Sequence, residues 1–144
     1  MLPGSPLVQG LIAVTLVICG LAFWLGALSE KIGGAVILGN VAITLGLGAI
    51  DLGPSAAVAQ LALDGATAAA LLFVLLRFGR PWLGVAMLLY AAQFALHSFY
   101  LVTERPNDTF HAMANNAIFL GVSLSLAAGV LGAVVRGRRS QGKA

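Results

Sequence analysis

Five apolar runs, each bounded by charged or turn-forming residues, set the pattern of this chain. They cover 7–29, 34–50, 55–76, 82–102 and 110–135. A helix rising about 1.5 Å per residue needs roughly 20 apolar residues to cross about 30 Å of hydrocarbon, and each run is read as such a helix. The predicted fold is all-α: a polytopic membrane helix bundle, one domain over 1–144, with a basic tail at 136–144.

The breaks are short and rich in turn chemistry. Glu30 and Lys31 precede Gly33-Gly34, and Asp51-Leu52-Gly53-Pro54 makes the second turn. Arg77-Phe78-Gly79-Arg80-Pro81 makes the third, and Thr103–Thr109 the fourth. Gly, Pro, Asn and Asp favour these positions because they accept turn backbones or bond to them. Asp108 or Thr109 is placed to cap the last helix. The run 34–50 is the shortest and carries Gly34, Gly39, Gly46 and Gly48, so it reads as a thin spanning helix or a re-entrant element. No internal repeat is evident, and five helices do not divide into two equal inverted halves.

Composition strengthens the reading. Of 144 residues 60% are hydrophobic and 9% charged, and the mean hydropathy is +0.99. A soluble domain carries about a quarter charged residues, so lipid is the expected solvent. The net charge of +3 does not point to nucleic acid, because position explains it. Arg136, Arg138, Arg139 and Lys143 directly follow the last apolar run, where cytoplasmic positive charge and anionic lipid favour them.

Counting basic residues by side sets the orientation. With the N-terminus outside, Lys31, Arg77, Arg80, Arg136, Arg138, Arg139 and Lys143 are cytoplasmic and only Arg105 is external. N-out and C-in is therefore expected, in the inner (plasma) membrane. Trp24 and Trp82 fall near the cytoplasmic interface and Tyr100 near the outer one. Residues 1–6 contain no basic residue, so the first run reads as a retained helix rather than a secretory signal. Cys19 is the single cysteine, which excludes an internal disulfide and a thiolate metal cluster.

In lipid, helices associate through close backbone approach and hydrogen bonds. The last helix repeats small residues at a spacing of four: Ala117, Gly121, Ser125, Gly129 and Ala133. This face suits either packing within the chain or contact with another membrane protein or a second copy. On the third helix Ala57, Leu61, Gly65 and Ala69, flanked by Val58, Ala62, Ala66 and Ala70, read as a stripe at the bundle centre.

Asp64 lies near the middle of its helix, where an aspartate costs about 3 kcal/mol to insert. A neutral carboxyl there clamps two helices, and a titrating one carries a proton. Gln93 is eleven residues above Trp82, about 16 Å, and so near the level of Asp64. His97 is one turn further out, followed by Tyr100 and Glu104. Asn115 and Asn116 enter from the outer side at the depth of His97. The result is a polar track from Glu104 through Tyr100, His97, Asn115 or Asn116 and Gln93 to Asp64, with Asn40 apart from it. Nothing comparable continues inward, so a half-channel or vestibule is expected rather than a full pore. The alternative is hydrogen bonding between helices alone.

His97 and His111 differ in depth and match no metal or haem motif, so neither a metal nor a cofactor is expected. Ser98 points away from His97, and no catalytic signature is present, so no catalytic residue is assigned. Size and helix count look like the tryptophan-rich sensory protein family. This chain has two tryptophans, and no residue role is carried over. The expectation is a non-enzymatic accessory or assembly subunit of a membrane complex, with lipid and a second membrane protein as partners. The competing reading is a channel or transporter component handling a proton, cation or solute through Asp64 and His97, and the third an intramembrane ligand sensor.

Overall fold

The computed structural model describes residues 5–50, 53 and 55–141. Asp51, Leu52 and Pro54 of the second turn, and Lys143 of the tail, lie outside the described residues. Among the described residues are five helices and no strand: α1 (Pro6–Leu25), α2 (Leu28–Ala49), α3 (Ser55–Phe78), α4 (Pro81–Val102) and α5 (Thr109–Gln141). All five are long and apolar enough to cross a membrane. Leu16, Val17, Phe73, Leu88 and Leu124 are exposed on their outer faces, a surface that hydrocarbon solvates and water does not.

Short connections make successive helices antiparallel neighbours. The contacts close a ring in the order α1, α2, α3, α4, α5 and back to α1, with a lesser contact of α2 and α5 across its centre. An odd number of helices leaves α1 and α5 running in the same direction. Thr15 on α1 and Ser123 on α5 share a buried hydroxyl hydrogen bond of 2.7 Å along that seam.

The first break is not where the glycine pair suggests. α1 ends at Leu25, and the chain turns at Gly26 and Ala27, both extended. Gly26 is required there, because a Cβ would stand 2.3 Å from the Ala22 carbonyl oxygen and 2.7 Å from Glu30 Cβ. Glu30, Lys31, Gly33 and Gly34 belong to α2, which runs unbroken for 22 residues and is long and apolar enough to span. Gly33 and Gly34 serve packing: a Cβ on Gly33 would stand 2.5 Å from the Trp82 ring, and one on Gly34 3.4 Å from Ala22.

Two further expectations are corrected. The small stripe of α3 faces mostly outward, and its buried face is Asp64, Thr67, Leu71 and Val74. Polar groups needing partners choose the inner face of this helix, and small size alone does not. The basic segment after Val135 remains helical to Gln141, giving α5 33 residues. At about 50 Å it is longer than the roughly 30 Å of a bilayer's hydrocarbon.

The apolar core fills the half of the ring nearest the α1–α2 turn, with Cys19, Ile37, Leu71, Leu83, Ala86, Tyr90, Val122 and Leu126 among its members. Trp82 anchors it. Its indole is held between Gly33 of α2 and Gly129 of α5, where an added Cβ would meet the ring at 2.5 and 2.7 Å. Its backbone carbonyl accepts the Ser125 hydroxyl at 2.6 Å. Gly121 faces Leu89 of the same chain, Ala117 is exposed, and Ala133 is half-buried. The central part of the small-residue face of α5 is thus covered by α4. Trp24, by contrast, is 82% exposed.

Candidate functional site

The other half of the ring is hollow. A cavity of about 680 Å³ lies between the helices at the end that holds the start of α1 and the α4–α5 connection. Its walls include Asn40 and Thr44 from α2, Gln60 from α3, Gln93 and His97 from α4, and His111, Asn115 and Asn116 from α5. No Lys or Arg is among the lining residues.

Asp64 and His97 meet at the edge of this space. Asp64 Oδ2 lies 2.6 Å from His97 Nδ1, with the carboxylate fully buried and the imidazole 14% exposed. The partners are on α3 and α4, whose close packing brings them together. An ionised Asp64 accepts from Nδ1–H, which leaves Nε2 of His97 as a base. The second carboxylate oxygen accepts from Gln60 Nε2 at 3.2 Å. Gln60 also reaches Thr44 Oγ1 at 3.4 Å, tying α3 to α2.

Gln93, Asn115 and Asn116 line the same cavity. Gln93 and Asn115 are buried, and none of the three amides makes a side-chain hydrogen bond among the described residues. Each carries two N–H donors and an acceptor oxygen. Buried amides of this kind need partners, and the cavity is where a solute or water would supply them. Gln93 does not bond Asp64. Gln60 does so, one helical turn before it on the same face of α3. Asn40 is not apart: it donates to Thr67 Oγ1 at 3.0 Å and forms part of the wall. The early start of α2 carries Asn40 deeper into the bundle.

The rim of the cavity is built on Asp108. Its Oδ1 accepts the His111 backbone N–H at 2.8 Å and the Tyr100 hydroxyl at 2.7 Å. The first bond caps α5. These two donors, the backbone one first, hold the Asp108 carboxyl below its ordinary range. The His111 ring stands 4.6 Å from that of Tyr100 and 5.2 Å from that of His97, centroid to centroid. Tyr100 therefore pairs with Asp108, not Glu104, which is exposed in the connection. Among the described residues, no three His, Cys, Asp or Glu side chains are grouped to hold a metal.

A second polar station lies at the opposite end and was not anticipated from sequence. Glu30 is fully buried. Its Oε1 accepts Trp82 Nε1–H at 3.1 Å, and its Oε2 accepts the Ser29 hydroxyl at 2.9 Å. Arg136 Nη2 approaches Oε1 at 3.6 Å. Two hydrogen-bond donors, from α2 and α4, and a nearby guanidinium on α5 thus surround one buried carboxyl.

Comparison with known proteins adds no family: no family model matches the chain, and no curated protein or solved structure compared with it is similar.

Proposed function

We propose that this chain is a small solute-handling membrane protein whose vestibule receives a small polar or cationic solute beside the Asp64–His97 pair. The observation that carries it is the cavity of about 680 Å³ lined by amides and an imidazole. Its volume falls in the range of ordinary small-molecule sites, about 300–1,000 Å³. The lining supplies amide donors and acceptors, an imidazole backed by a carboxylate, and no Lys or Arg side chain to attract an anion. Proton exchange at the pair gives the site a means of coupling solute occupancy to pH. No catalytic role is assigned to it.

The same reading takes the membrane to be the inner (plasma) membrane, with the N-terminus outside and the vestibule opening outward. Arg77, Arg80, Arg136, Arg138 and Arg139 then lie on the cytoplasmic side, as the distribution of basic residues favours. The accessory-subunit reading draws less support, because the α5 face that motivated it is largely engaged by Leu89 and Trp82 of the same chain.

Guanidinium, a small hydrogen-bonding cation, serves as probe. In vesicles holding the Cys19→Ser, Asn115→Cys variant, a membrane-impermeant thiol reagent is expected to label residue 115 from one face only. Guanidinium should slow that labelling. Uptake of guanidinium driven by a pH gradient, lost in Asp64→Asn, marks a transporter; protection without uptake marks a sensor. Absence of labelling from both faces defeats the reading.

A further inference from the structure

A second hollow differs in every respect from the vestibule. It is a crevice of about 300 Å³ on the outside of the α1–α5 seam. Ile18, Leu21 and Leu25 form one wall and Ala127, Val130, Leu131 and Val134 form the other. All seven side chains are apolar, and the crevice opens toward hydrocarbon.

The arginines that follow on α5 do not share one direction. Residues 127, 131, 134 and 138 are spaced four, three and four apart, so Arg138 continues the stripe that walls the crevice. Arg136 points about 160° away around the helix, and there it meets Glu30. Arg139 is displaced about 100° from Arg138. One exposed guanidinium is therefore aligned with the groove. α1 stops at Leu25, so α5 continues alone past the mouth of the crevice.

Length fits as well as charge. From Arg138 back to Ala127 is eleven residues, or about 16 Å, against about 15 Å for one leaflet of hydrocarbon. We propose that this crevice is a binding site for one anionic phospholipid, its acyl chain between α1 and α5 and its phosphate on Arg138. Arg138 supplies planar N–H donors that match phosphate oxygens, and the apolar walls replace the contacts of neighbouring lipid chains. This site is independent of the vestibule.

The full chain, purified in non-ionic detergent, is offered equimolar phosphatidylglycerol and phosphatidylcholine, and retained lipid is read by native mass spectrometry. Phosphatidylglycerol is expected to be retained about fivefold over phosphatidylcholine, the factor one interfacial arginine contributes. Arg138→Gln, an exposed substitution that leaves folding intact, should abolish the preference, and Arg139→Gln should preserve it. Ala127→Phe fills the crevice and should reduce retention of both lipids. Equal retention of the two lipids by the native chain overturns the proposal. So does a preference that survives Arg138→Gln, or a lipid-free mass of two chains, which would seat a second copy in the crevice.

Discussion

His97 Nδ1 approaches Asp64 Oδ2 to 2.6 Å, yet the two residues are unequally placed: the carboxylate is fully buried and the imidazole reaches the vestibule. Removing the histidine leaves a fully buried carboxyl with Gln60 as its one remaining side-chain partner among the described residues. Removing the aspartate leaves an imidazole that solute or water can reach. His97→Ala is therefore expected to cost roughly 3 kcal/mol and Asp64→Ala less. The double variant should show a coupling above about 1 kcal/mol. Unfolding in detergent measures all three, and equal single costs with no coupling would remove the pair from the argument.

The slot around Trp82 makes a sharper steric prediction. A methyl on Gly33 or Gly129 would meet the indole at 2.5 to 2.7 Å. The ring cannot yield, being confined on both faces and bonded to Glu30 through its N–H. Gly33→Ala and Gly129→Ala should each lower stability by about 1–3 kcal/mol. Gly20 and Gly39 have nothing within 4 Å of an added Cβ. Alanine there should be neutral or stabilising, by up to about 1 kcal/mol. Melting temperatures of the four variants decide the matter.

Asp108 governs the acid response of the rim. Its carboxyl is held below its ordinary range by the His111 N–H and the Tyr100 hydroxyl. A depressed folded value means the cap is fully stabilising above the unfolded value and is lost as pH falls through the folded one. Exchange of the His111 amide should thus be slow at pH 5 and quicken below about pH 4 relative to its intrinsic rate. Asp108→Asn should flatten this dependence. An unchanged profile in that variant would assign the effect elsewhere.

Glu104 closes α4 in a left-handed conformation, φ 52°. Its N–H bonds the Leu101 carbonyl, and that of Arg105 the Tyr100 carbonyl, at 3.3 and 3.2 Å. This is the helix ending that glycine fits best. Glu104→Gly should raise stability by about 1 kcal/mol, since a left-handed residue with a Cβ carries about that strain. Loss of stability would show that the Glu104 side chain has a structural role of its own.

The number of helices could be read from the chain because hydropathy is summed locally, over windows the length of a helix. The limits of α2 could not. Glu30 looks like a loop residue until Trp82 and Arg136, distant in sequence, are seen to compensate its charge. Depth along the helices set Asp64, His97 and the amides at comparable levels, but it could not assign contacts. Gln60 was missed although it precedes Asp64 by four residues, the spacing that places two side chains on one helical face. The α3 stripe misled for a related reason: small side chains permit close approach without requiring it.

Both buried carboxylates answer to one helix. Trp82 at the start of α4 holds Glu30, and His97 near its end holds Asp64, fifteen residues or about 22 Å along a single rigid axis. A slide or turn of that rod loosening either grip must disturb the other. Any displacement of α4 along its axis is thus felt at both carboxylates, with no loop between their anchors.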